Sequence, residues 1–259
     1  MQADTVSVAA RGWGRVLGSL GPFDSSQDAE AARSLLAGFD GDLAAESAAA
    51  LLYACFVRAL AAELYRPIVG PDTWDWVASG VLAPTISLVR RWLGADTWEL
   101  LGMPTASADG LGRTDPGPEA SERGRRVLAA VPAALASAWA AAVKLGGRDP
   151  RQWRWGDVHQ AVLAHPLGAA EGGPGRLPGV PMGGDADTLQ AAGYGWWAGA
   201  PFTVASLSVY RQVVDLADGR TASFVIPGGA SGDPASPHFA DQLAEWAAHR
   251  RIPMTAPES

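Results

Sequence analysis

The 259-residue chain contains no asparagine, one lysine (Lys144) and one cysteine (Cys55). A single cysteine excludes an intrachain disulfide. Cys55 sits in the apolar run from Ala48 to Val57 and reads as a buried small hydrophobe rather than a nucleophile. No block of basic residues occurs and the formal net charge is −7, so nothing draws the chain to a phosphate backbone and no nucleic-acid partner is expected. Glu46, Arg58 and Glu63 interrupt the longest apolar stretch before it reaches the ~20 residues a bilayer-crossing helix needs, so no membrane span is expected. Residues 2–5 carry neither a basic start nor an apolar segment behind it. Either the chain stays in the cytosol or an exporting segment lies outside it.

What is present is a chain 48% hydrophobic, rich in Ala, Gly and Arg, and long enough to bury a substantial core. Apolar residues at helical spacing predict helices over 4–20, from Ser25 or Ser26 to 36, over 46–65 before Pro67, and over 119–145 with a kink or restart at Pro132. Shorter helical pieces are expected over 72–78, 84–93 and 96–101, with Trp74, Trp76, Trp92 and Trp98 as packing residues. Residues 102–118 read as a loop, and 146–201 as a Gly/Pro-rich stretch ordered by packing, with a short amphipathic piece near 156–164. The segments 206–216 and 221–227 flank Asp218-Gly219, a hairpin signal, and predict two antiparallel strands. Val213, Val214 and Leu216 put apolar groups on both faces of the first, as in a sheet covered on both sides. A closing helix is expected over 239–249. The fold class is therefore α+β, with residues 1–105 a helical segment and 106–259 the kinked helix, Gly/Pro-rich region, hairpin and closing helix.

Three clusters invite chemistry. Ser231, His238 and Asp241 suggest a hydrolase triad, but position 233 is Asp where a nucleophile elbow needs Gly. Triad members also converge from separate loops, whereas these crowd into one, so a structural loop that caps the next helix is the reading. Asp157, His159 and His165 suggest a metal, but Asp157 and His159 fall on different faces of any helix. His159 then reads as a core histidine. Asp185 and Asp187 beside Gly183-Gly184 fit a calcium loop poorly and a capping turn well.

The order of these clusters carries a resemblance. Trp155-Gly156-Asp157-Val158-His159 comes first, then Gly183-Gly184-Asp185 with Thr188, then Ser208-Val209-Tyr210-Arg211-Gln212-Val213-Val214-Asp215. Gly229-Ala230-Ser231-Gly232, Ser236-Pro237-His238-Phe239, Asp241-Gln242 and Pro253-Met254 follow. Upstream stand Gln2, Asp4, Ser7, the run from Leu35 to Gly41, and Ser47-Ala48-Ala49-Ala50. In this order they resemble the C-terminal part of the β chain of the penicillin amidase family, across essentially the whole chain.

The resemblance implies an N-terminal-nucleophile hydrolase with an αββα sandwich, cut from a precursor into α and β chains. Its β-chain N-terminal serine uses its own α-amine as base, which is sensible because an α-amine titrates at about 7.7 to 8.0. Backbone N–H groups and an asparagine hold the oxyanion. Here residue 1 is Met, the family's serine-led start lies upstream of the segment matched by Gln2 to Ser7, and no asparagine exists. Met1 reads as an internal family methionine or a false start. The sequence also departs from the family at Ala230, where glutamine is usual, and at Phe39, where tryptophan is usual.

The expectations are an acylase segment with no catalytic residue, metal ligand or cofactor of its own, and with no assignable substrate-binding residue. Its partners would be the rest of the precursor and a small N-acylated substrate, such as a β-lactam or an acyl-homoserine lactone. The family implies a periplasmic or extracellular setting. The hairpin of such a segment should present apolar residues that the missing part covers. The competing expectation is a non-catalytic orphan or degenerate paralogue acting at most as a binding or assembly module.

Overall fold

The computed structural model describes residues 2–24, 26–78, 92–93, 97, 100–101, 118–163, 175–196, 199–217 and 222–254, with the side chains of 118–121 excepted. Helices α1 (Val8–Ser19), α2 (Gln27–Leu36) and α3 (Ala48–Val69) each begin at a serine. Ser7, Ser26 and Ser47 accept from the backbone N–H three residues on, satisfying an amide that the helix leaves open. Helix α1 thus starts four residues later than its apolar spacing suggests, because Val6 bridges to Asp42 instead. Helix α3 runs through Pro67 rather than stopping before it. The proline falls near the C-terminal end, where few intrahelical bonds remain to be lost. Helices α4 (Pro71–Ala78) and α5 (Pro118–Gly146) complete the layer, and α5 continues through Pro132 without a restart.

Helix α3 packs along α5, and α2 lies on the same helix. By length and apolarity both α3 and residues 122–146 could cross a membrane, contrary to the reading from charges alone: Arg58 and Glu63 stay inside α3. In this fold both contribute side chains to the core. Leu51, Leu52, Phe56 and Leu60 of α3 and Val127, Val131, Leu135 and Ala138 of α5 are buried in one cluster. Of the tryptophans expected to pack, Trp74 is buried, Trp76 and Trp92 are half-exposed, Trp92 with its ring 5.9 Å from that of Tyr65, and Trp98 lies outside the described residues. The same holds for most of 84–101, for 102–117 and for His165.

The Gly/Pro-rich stretch contains more regular structure than its composition suggests. A short 3₁₀ turn (Pro150–Gln152) leads to α6 (Trp155–Val158), and the amphipathic piece ends there because Gln160 enters a strand. Strands β1 (Gln160–Ala161), β2 (Val180–Pro181), β3 (Ala192–Tyr194) and β4 (Val204–Leu207) form a sheet in the order β2-β1-β4-β3. A second sheet holds β5 (Arg211–Val214), β6 (Ala222–Val225) and β7 (Ile252–Pro253) in that order, all antiparallel.

The single first strand expected over 206–216 is therefore two, in different sheets. The break falls at residues 208–210, where Ser208 O accepts from Trp246 Nε1 and turns the chain away from β3. The 211–214 part pairs with 222–225 as expected, Arg211 opposite Val225 and Val214 opposite Ala222. The Asp218-Gly219 turn lies outside the described residues. Trp246 covers the hairpin at Arg211 and Val225, but among the described residues its far end is open: Val213, Val214 and Leu216 are 43%, 45% and 95% exposed. The closing helix is only α7 (Leu243–Ala247), since the residues before it are held in a loop.

Candidate functional site

The family-like clusters, scattered in sequence, meet at two places. At the first, the N-terminal segment is stitched to the loop before α3 and to the Gly183-Gly184-Asp185 turn. Leu43 N–H donates to Thr5 O, Gly184 N–H to Leu43 O and Gln190 N–H to Asp4 O, at 2.8–3.0 Å. Trp155 and Gly156 donate backbone N–H groups to Ser47 O and Ala45 O. The Trp155 indole N–H reaches Gly184 O at 3.1 Å. Gly184 is at φ 79°, and a Cβ there would stand 2.5 Å from Gln190 O; only glycine meets both conditions without strain.

His159 lies in this knot as a core side chain. It stacks on Trp155 at 4.3 Å and 13°, Tyr194 and Phe202 pack edge-on around the pair, and His159 Nδ1 bonds Phe202 O at 2.8 Å. Asp157, on the other face of the turn, is exposed. Among the described residues no group of three or more His, Cys, Asp or Glu side chains could hold a metal ion. Asp185 is buried and its Oδ1 accepts from Asp187 N–H, while Thr188 Oγ1 accepts from Asp185 N–H. These bonds close a turn as expected, but no helix follows it to be capped: the chain passes into β3. Asp185 and Tyr194 border a cavity of about 80 Å³ with Trp13, Tyr53, Thr97 and Leu101, room for a few waters and well below the roughly 300 Å³ of a small-molecule pocket. Cys55 is buried in the helical core, where desolvation pushes its thiol up to about 12. A neutral thiol is a poor nucleophile.

The second knot gathers Ser208 to Asp215 with the Gly229 and Asp241 clusters. Gln242 pins it twice: its N–H donates to Gly228 O at 2.8 Å and its Oε1 accepts from Ile226 N–H at 3.2 Å. Gly229 passes so close that a Cβ would lie 2.0 Å from His238 O. Trp246 is fully buried, and Arg211 lies over its ring.

Ser231, His238 and Asp241 share this loop without forming a relay. His238 Nδ1 meets Asp241 Oδ2 at 2.8 Å in the open. Ser231 instead accepts from Asp233 N–H through its hydroxyl and donates its N–H to His238 O. No hydrogen bond joins the Ser231 hydroxyl to the His238 ring among the described residues. A base positioned to take the serine proton is what a triad requires.

What sequence inspection missed is Arg211, which is only 3% exposed. Its Nη1 donates to Trp246 O at 2.6 Å, and its Nε and Nη2 have no partner among the described residues. Burial lowers its pKa, and desolvation, then the nearby guanidinium, lowers that of His249. An arginine followed by three exposed residues in its strand gives no sequence signal that it points inward.

Both knots are built from backbone stitches, and comparison with known proteins gives them their context. The chain belongs to the penicillin amidase family, which matches residues 1–259. It is 31% identical over 235 residues to the acyl-homoserine lactone acylase QuiP of Pseudomonas aeruginosa, covering 84% of this chain and 26% of that protein. QuiP of Pseudomonas syringae pv. tomato is 30% identical over 238 residues, 87% of this chain and 26% of the relative. Penicillin acylase 2 proenzyme of Pseudomonas sp. (strain SE83) is 40% identical over 103 residues, 39% of this chain and 13% of the relative. The chain thus spans about a quarter of the length of the acyl-homoserine lactone acylases it matches. Its mixed helices and sheets are consistent with the family's fold.

Proposed function

We propose that this chain is the C-terminal part of the β chain of an acylase that hydrolyses the amide of a small N-acylated molecule, such as an acyl-homoserine lactone or a β-lactam. In this reading the nucleophilic serine, its α-amine base and the oxyanion asparagine belong to the part of the precursor preceding residue 1. Residues 1–259 contribute the helical layer and the edge of an αββα sandwich, as one incomplete domain, and no catalytic group. Two observations together carry the reading: the family match along all 259 residues, and an alignment that covers most of this chain but only about a quarter of the relative's length. The two knots support it: the family-like residues hold loops together and, among the described residues of the knots, leave no nucleophile beside a base.

The test is to join the chain to the segment encoded in frame upstream and to assay amide hydrolysis. Release of free acid from N-acyl homoserine lactones or phenylacetyl amides by the joined protein supports the proposal. An upstream stop codon, or a joined protein that folds and stays inactive on both substrate classes, refutes it in favour of a non-catalytic module.

A further inference from the structure

We propose that the free edge of β5 is the seat on which the remainder of the precursor docks, adding a strand and covering both faces beside it. The inference rests on the reading that such a remainder exists, and it identifies the surface. Among the described residues, strand β5 is the outer strand of its sheet, paired through one edge only. Met254 N–H donates to Ala222 O at 2.7 Å, so Ala222 presents its backbone to β7. Antiparallel alternation then turns the backbone of Val214, opposite Ala222, away from β6 to the open side, and that of Gln212 with it.

A hydrogen bond agrees with this orientation: Gln2 Nε2 donates to Gln212 O at 3.1 Å. The primary amide of Gln2 occupies the position that a backbone N–H of an added strand would take. The Val214 N–H and C=O are left facing solvent, the state that natural sheets avoid by pairing, charge or proline. None of these devices is present in Arg211–Val214 beyond the buried Arg211.

The side chains indicate what kind of occupant fits. Val213 and Val214 point to opposite faces, yet are exposed almost equally, at 43% and 45%, and Leu216, at 95%, follows. Val209 and Tyr210, at 56% and 52%, extend the apolar run before the strand. A second copy pairing edge to edge would continue the sheet but leave Val213, Val214 and Leu216 as exposed as before, since α7 covers only the Arg211 and Val225 end of one face. A body that supplies a strand together with layers on either side covers edge and faces at once, and a precursor some four times the length of this match has the chain to do so.

The experiment co-expresses the tagged chain with the segment encoded in frame upstream and measures how much of that segment is retained. It compares wild type with Val214→Pro and Leu216→Lys. Val214→Pro removes an N–H that no β6 group uses, and Leu216→Lys changes a side chain already in solvent, so the second variant stands if the first disturbs the strand. Retention by wild type with at least a ten-fold loss in Leu216→Lys, and in Val214→Pro where it melts as wild type does, is the expected result. Equal retention by wild type and both variants overturns the edge assignment while leaving the acylase reading intact. No retention by wild type removes the parent reading and this inference with it. A wild-type dimer in sedimentation that Leu216→Lys returns to monomer assigns the edge to a second copy and overturns the proposal.

Discussion

The guanidinium carbon of Arg211 stands 4.6 Å from the centroid of the Trp246 ring, and the same arginine donates to the Trp246 carbonyl at 2.6 Å. The pair joins β5 to α7 and holds the second knot closed, with Trp246 Nε1 reaching on to Ser208 O. Trp246→Ala should cost about 3–5 kcal/mol, the usual loss for a buried aromatic. Arg211→Met should behave differently, because the arginine is buried with two donor nitrogens unpaired. Replacing such a charge by an apolar chain of similar volume changes stability by less than about 1 kcal/mol or raises it. Urea unfolding followed by tryptophan fluorescence measures both. A loss of several kcal/mol in Arg211→Met would mean that the guanidinium has a partner the geometry does not show.

At the first knot, Gly184→Ala should be among the most destabilising single-methyl additions in the chain. Its φ of 79° alone costs a non-glycine residue about 1–3 kcal/mol, and the new methyl collides with Gln190 O. Trp155→Phe, which keeps the stack on His159 but loses the bond to Gly184 O, should cost about 1–2 kcal/mol. The ordering of the two midpoints in urea is the check.

The Cys55 thiol should be silent in the native protein. Burial holds it near 12, so at pH 8 it should give no colour with a disulfide reagent. One thiol per chain should appear in denaturant, as expected for the only cysteine. Rapid reaction without denaturant would show that α3 opens.

Glu30 makes part of the acid stability predictable. The Arg33 side chain, then the Phe23 N–H, hold its carboxyl at about 2, below its ordinary 4.5. A depressed carboxyl stabilises the fold above 4.5 and loses that contribution as pH falls toward 2. Glu30→Gln should therefore lower the melting temperature at pH 7, and the gap from wild type should close near pH 2. The pair is partly solvent-screened, so the gap is small. An unchanged gap across that range contradicts the assignment.

The long helices were legible from their apolar content: every residue of α3 from Ala50 to Phe56 is buried, and Ala10, Trp13 and Leu17 recur at helical spacing on one side of α1. Their ends were less so, since Ser7 and Ser47 act through side-chain bonds that apolar spacing does not register. The sheet β2-β1-β4-β3 left no pattern because its strands are two to four residues long. At the candidate sites, Ser231, His238 and Asp241 were visible as residue types, but what separates a relay from a stitched loop is where the serine hydroxyl points. The inward Arg211 was invisible because its burial comes from Trp246, which lies 35 residues away.

The central claim, that this is a non-catalytic part of an acylase, is tested most directly by assaying purified residues 1–259 for acid release from N-acyl homoserine lactones and phenylacetyl amides. The account predicts no turnover above buffer, and the same for Ser231→Ala. Turnover by the chain alone that Ser231→Ala abolishes would contradict it and make the Ser231, His238 and Asp241 loop an active site.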